Sequence, residues 1–141
     1  MIVYLDTSAL VKRCVEEVES TAGSTCVERA AAVMTARVTY AEARAAFPRH
    51  RREGGLTPAG LGEVVCGLDA EWDACDVVEI HEPLVRRAGQ LAERHALRGY
   101  DAIQLAAPLT IRNAGADLEC ASFDGRLNHA ASRERLRLSP V

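Results

Sequence analysis

A chain of 141 residues fits one domain around one hydrophobic core, and residues 1–141 are read as such. Its composition, 48% hydrophobic and 26% charged, excludes a disordered chain, and no apolar run approaches the roughly 18 residues of a membrane span. The net charge of −3 does not exclude an RNA partner, because phosphate binding needs only a local field.

In chain order, Ile2–Leu5 is a short unbroken apolar run, the pattern of a parallel strand covered on both faces. Thr7 and Ser8 are expected to cap a helix running through Ala9, Leu10 and Val11. A second helix is expected over residues 18–31 and a short strand over 33–36. Helical spacing resumes at Val38 and passes through Glu42, Ala45 and Ala46, with Pro48 expected to kink or end it. Gly54 and Gly55 close that unit. Thr57 followed by Pro58 predicts a capped helix with proline at its first position, and Leu61, Val64, Val65, Leu68 and Trp72 predict its buried stripe. Residues 77–80 read as a third strand, and Pro83 opens a helix whose apolar face is Leu84, Val85, Ala88, Leu91 and Ala92. Tyr100, Ile103, Ala107 and Ile111 trace the next helix, interrupted at Pro108. Residues 118–122 and 136–138 complete the strands. Strands alternating with helices predict an α/β domain with a mostly parallel central sheet flanked by helices.

The acids that interrupt apolar surroundings carry the chemistry. Asp6 follows the first strand, Glu42 lies in the first turns of the helix after strand two, Asp101 opens the Tyr100 helix, and Asp124 follows strand four. In a doubly wound sheet such positions converge in one crevice at the carboxyl ends of the strands. Carboxylates held close together raise one another's pKa, and a hard divalent cation is the usual resolution. Mg²⁺ suits an all-oxygen donor set, and such an ion supplies a nucleophilic water and stabilises a leaving oxygen in phosphodiester hydrolysis. Taken singly, Glu42 or Asp101 is explained by the helix dipole; Asp6, ending a buried strand, is not.

Four segments then resemble one known family. Val3-Tyr4-Leu5-Asp6-Thr7-Ser8-Ala9-Leu10-Val11-Lys12 looks like the first motif of PIN domains, particularly of VapC-type toxins. Thr39-Tyr40-Ala41-Glu42 is similar to the second, Leu97-Arg98-Gly99-Tyr100-Asp101-Ala102-Ile103-Gln104-Leu105-Ala106 to the third, and Ser122-Phe123-Asp124-Gly125-Arg126-Leu127 to the fourth. The resemblance implies a three-layer PIN fold and a Mg²⁺- or Mn²⁺-dependent endoribonuclease. Carried over by position, Asp6 and Asp101 would be principal metal ligands, Glu42 and Asp124 would complete the cluster, and Thr7 or Ser8 would support Asp6 or a bound water. Plain N-capping accounts equally well for Thr7 and Ser8. The resemblance also implies a homodimer and a cognate antitoxin that inserts an arginine-bearing segment into the acidic groove.

Other residues are less specific. Arg49, Arg51 and Arg52, next to His50, are candidate contacts for RNA phosphates, although a solvated helix end explains them too. His50, His81, His95 and His129 form no zinc-hydrolase pattern and are expected to be ordinary surface or satisfied residues. Cys14, Cys26, Cys66, Cys75 and Cys120 lack metal-site spacing and are expected to be reduced, buried and inert. A phosphatase or receiver domain also uses a strand-end aspartate. The first wants a second Asp where Ser8 stands, however, and the second a late lysine where the chain has only Lys12. A non-catalytic PIN-like module that binds RNA or protein is the main alternative to the nuclease.

Overall fold

The computed structural model describes residues 1–19, 30–52 and 56–140. Most of the helix expected over 18–31, together with Cys26, Gly54 and Gly55, lies outside these residues, as do the side chains of Arg51 and Arg52.

Five strands form one sheet, all parallel, in the order β3-β2-β1-β4-β5: β1 (Ile2–Leu5), β2 (Ala32–Ala36), β3 (Asp76–Val78), β4 (Leu118–Ala121) and β5 (Arg137–Leu138). The helices among the described residues are α1 (Thr7–Glu19), α2 (Thr39–Arg52), α3 (Pro58–Ala74), α4 (Glu82–His95), α5 (Gly99–Asn113) and α6 (Gly125–Arg133).

The apolar run of β1 forms a strand because each face finds a cover. Val3 and Leu5 join α1, α2 and α3 through Leu10, Val11, Phe47, Val64 and Leu68. Tyr4 points the other way into a second core with α4, α5 and α6, through Leu84, Leu91, Leu105, Leu109 and Leu127. Residue alternation along one strand thus divides the helices into two layers with the sheet between them.

The chain starts at the middle strand, lays β2 and β3 on one side, then crosses to lay β4 and β5 on the other. The order therefore reverses beside β1. Its carboxyl end and that of β4 border the crevice where open α/β sheets bind ligands.

The structure departs from the sequence reading at three points. Neither Pro48 nor Pro108 ends its helix: α2 and α5 run through them. A proline inside a helix costs about 3 kcal/mol. Leu105 and Leu109, both fully buried on α5, return about 1.5–3 kcal/mol each, and Phe47 does the same for α2. Helix α6 was not anticipated, because its apolar face reduces to Leu127, Ala130 and Ala131 among polar residues. Finally, Cys66 is exposed rather than buried, whereas Cys14 and Cys120 are buried as expected.

Candidate active-site cleft

A cleft of about 810 Å³ opens at the carboxyl end of β1, between α1 and α2, and its wall includes Asp6, Glu42, Asp101 and Asp124. The structure therefore brings all four expected acids together. It also places Arg49 and His50 on the wall of the same cleft.

Asp6 is 4% exposed and does three things at once. Its backbone continues the sheet, with its N–H donating to the Ala121 carbonyl at 3.2 Å. Its Oδ1 accepts the Ala9 N–H at 2.9 Å, so Asp6 itself caps α1, correcting the assignment of that role to Thr7 and Ser8. Its carboxylate also accepts the Ser8 hydroxyl at 2.8 Å and the Ser122 hydroxyl at 2.6 Å. Burial pushes the Asp6 carboxyl up from the ordinary 3.8, the donors from Ser122, Ala9 and Ser8 pull it back, and nearby Asp124 pushes it up again. Three donors on a group with about four acceptor sites leave one free to face the cleft.

The hydroxyls of Thr7 and Ser8 are thus committed elsewhere. Ser8 Oγ also accepts the Phe123 N–H at 2.8 Å, tying the loop after β4 to the start of α1. Thr7 Oγ1 donates to Glu42 Oε1 at 2.8 Å, tying α1 to α2.

Gln104, 2% exposed on α5, is the residue that sequence reasoning missed. Its Nε2 donates to Glu42 Oε1 at 2.8 Å and to Thr39 Oγ1 at 2.9 Å, and lies 3.1 Å from Thr7 Oγ1. The Tyr4 phenol donates to Gln104 Oε1 at 2.6 Å. Beneath them the Thr35 hydroxyl donates to the Leu5 carbonyl at 2.8 Å and lies 2.9 Å from that of Thr39. Thr35 is the donor of that pair as well, so its one proton serves Leu5 and Thr39 between them. Thr39 Oγ1 also receives the Gln104 amide. The network fixes which way the Gln104 amide points and presents Glu42 to the cleft. Ser122 was quoted in a motif without a role; it sits between Asp6 and the Asp124 N–H, whose bond to Ser122 Oγ is 3.0 Å.

Asp124 is the N-cap of α6, its Oδ1 accepting the N–H groups of Arg126 and Leu127. Asp101 stands in the first turn of α5. Its carboxyl is raised by partial burial, then by Asp124 and Glu42, against the lowering pull of Arg98 and Arg126. Asp101 thus senses both neighbours.

Among the described residues, no three acid, histidine or cysteine side chains close on one point as a ready-made metal cage. The donor set nevertheless fits a hard cation that keeps several waters. It offers carboxylate oxygen only, it retains a free acceptor site on Asp6, and burial followed by neighbouring carboxylates raises the proton affinity of two of its acids. Neither His81, which caps α4 at 3.4 Å from the Leu84 N–H, nor His95, 3.1 Å from Glu134, joins the acids of the cleft.

The chain is similar to several known proteins. The chain is 34% identical over 140 residues to Ribonuclease VapC45 of Mycobacterium tuberculosis (strain CDC 1551 / Oshkosh), covering 99% of this chain and 96% of that protein. In fold it is similar to PAE2754 from Pyrobaculum aerophilum, with a TM-score of 0.65 at 17% identity over 92% of this chain and 84% of the other. It is also similar to a chain of VapBC2 from Rickettsia felis, solved bound to a DNA fragment from the promoter, with a TM-score of 0.63 at 12% identity over 99% and 98% of the two chains. The PIN domain model matches residues 3–133, which takes in β1 through α6 and all four acids of the cleft, and the chain belongs to the PIN-domain family.

Proposed function

We propose that the chain is a Mg²⁺- or Mn²⁺-dependent endoribonuclease, the toxin of a toxin–antitoxin pair. One observation carries the reading: a buried aspartate at the topological switch point, held by three donors, with three further acids on the wall of the same cleft. The name Ribonuclease VapC45, borne by a relative aligned almost end to end, supports RNA as the substrate.

In this reading Asp6 and Asp101 hold the ion, with Glu42 and Asp124 completing the set directly or through water. Bound there, the cation supplies an activated water and neutralises charge building on the phosphodiester. The chain's own contribution is placement. Ser8, Ser122 and the Ala9 N–H hold Asp6 still, and Thr7 and Gln104 aim Glu42. Arg49, exposed on the cleft wall beside His50, offers positive charge to a neighbouring phosphate about two α-helical turns from Glu42. Cleavage leaves a 5′-phosphate and a 3′-hydroxyl.

An antitoxin would inhibit by filling the cleft with a segment of its own. A guanidinium suits the acids, since it replaces the cation's charge and pairs with carboxylate in a bidentate manner. A homodimer is the proposed assembly, to be read by light scattering.

The test is digestion of total bacterial RNA by purified protein with Mg²⁺ or Mn²⁺, with EDTA and Asp6→Asn as controls, alongside Mn²⁺ calorimetry. Discrete fragments lost in both controls are expected. Fragments that persist in a clean Asp6→Asn protein would sink the reading. Absence of both cleavage and Mn²⁺ binding would favour a non-catalytic module that binds RNA or protein.

A further inference from the structure

Among the described residues, four large hydrophobic side chains are exposed: Val85, Tyr100, Phe123 and Leu138. Only Phe123 among these lies on the wall of the acidic cleft. Its ring is 43% exposed, so folding gains little from it, and its position is nonetheless firmly set. The Phe123 N–H donates to Ser8 Oγ at 2.8 Å, and Ser8 donates to Asp6 at 2.8 Å. One hydrogen-bonded residue therefore separates the Phe123 backbone from the most buried acid of the cleft.

The ring also carries a cation. Lys12 Nζ lies 4.1 Å from its centroid and 3.9 Å from Glu16. Lys12 is one turn beyond Ser8 on α1, on the same helix face. A π-face beside a mobile ammonium, next to an acidic centre, matches how unpaired nucleotides are gripped: base on ring, phosphate on cation.

We propose that Phe123 is a base-stacking platform for the nucleotide next to the scissile phosphate, with Lys12 as its phosphate partner. The proposal rests on the nuclease reading and adds a specificity-determining residue to it. An ammonium over an exposed ring is a weaker contact than a stacked base. An incoming base therefore displaces Lys12, and the freed ammonium stays within a helical turn of the acids, where the neighbouring phosphate arrives. Stacking strength follows the area of the π-face, so this subsite favours a purine over a pyrimidine.

The test measures binding apart from cleavage. In an Asp6→Asn background with Mg²⁺, fluorescence anisotropy reads the affinity for a labelled single-stranded oligoribonucleotide pool with one fixed central purine. Phe123→Leu, which keeps an apolar side chain and removes the π-face, is expected to weaken binding about tenfold, and Phe123→Trp to restore it. The same pool with the central purine replaced by an abasic site should bind about tenfold more weakly to Phe123 and no differently to Leu. Near-ultraviolet circular dichroism checks that each variant is folded.

Equal affinity of the Phe and Leu proteins overturns the proposal, as does loss in both the Leu and Trp proteins. A loss confined to Tyr100→Ala overturns it as well, because the platform then lies off the cleft wall. If wild-type protein cleaves RNA with Mn²⁺ and Phe123→Leu binds normally, the stacking fails while the nuclease reading stands. If aromatic-dependent binding is found and no metal produces cleavage, the nuclease reading fails and takes the scissile phosphate with it, leaving Phe123 as a stacking contact for bound RNA only.

Discussion

The phenol of Tyr4, on the central strand, donates to Oε1 of Gln104, on α5, at 2.6 Å. This bond decides which end of the amide meets Glu42: with Oε1 taken, Nε2 turns to the carboxylate. A core residue of β1 thereby controls a group in the cleft without reaching the cleft itself.

Tyr4→Phe should leave a buried amide oxygen unpaired, at a cost of about 1–3 kcal/mol. Thermal melts should show the midpoint falling by several degrees. Mn²⁺ affinity should fall too, because the freed amide can present its oxygen to Glu42. A Gln104→Leu, Tyr4→Phe double variant should lose less than the sum of the single losses, since both act through one amide. Strict additivity would mean that the two residues work separately.

Ser122→Ala removes the shortest donor from Asp6 and also the acceptor of the Asp124 N–H. Hydrogen bonds to the ionised form hold the Asp6 carboxyl down, so the variant's Asp6 should titrate higher than in the parent protein. Metal binding requires the ionised form. The pH at half-maximal Mn²⁺ binding should therefore move upward, with near-normal affinity recovered at alkaline pH. An unchanged pH profile would show that Ser122 serves only the loop.

In the metal-free protein the ionised Asp101 carboxylate works against folding. Its carboxyl titrates above the ordinary 3.8 in the folded protein, so between the two values the native state holds more protons than the unfolded one. Metal-free protein should lose stability as pH rises through that interval and remain lower above it. Asp101→Asn lacks this loss, and chelator-treated samples should melt higher than wild type at pH 7 while differing little below the ordinary carboxyl value. Saturating Mn²⁺ should reverse the order, because binding to the native state adds stability that the variant forgoes. A variant that melts lower than wild type in chelator at pH 7 would contradict the account.

Arg49→Glu should weaken RNA binding across sequences and reduce the slope of log affinity against log salt by about one. The measurement is anisotropy across a salt series in the Asp6→Asn background. A slope equal to that of the parent would remove Arg49 from the RNA path.

The acids were legible because each sits where a strand or helix boundary is visible in its neighbours. Asp6 breaks an apolar run, and Asp101 opens a helical stripe. Gln104 was illegible for the opposite reason: an amide within a helix reads as a surface residue until Tyr4, 100 positions earlier, is known to lie against it. The prolines misled because a local rule competes with burial that only the tertiary structure reveals. Phe47 and Leu109, both fully buried, offset much of the cost of Pro48 and Pro108. Helix α6 hid because its cap, Asp124, was already accounted for as chemistry, although the same carboxyl does the capping.

That double use has its counterpart at Asp6, whose backbone pairs with β4 and whose side chain begins α1. The central strand of a parallel sheet is among the last elements to open, so its amides should show the slowest hydrogen exchange in the molecule. An acid anchored there cannot be retired by fraying or by a loop swinging away, since losing it means losing the domain. Asp6 therefore stays in place for as long as the sheet does.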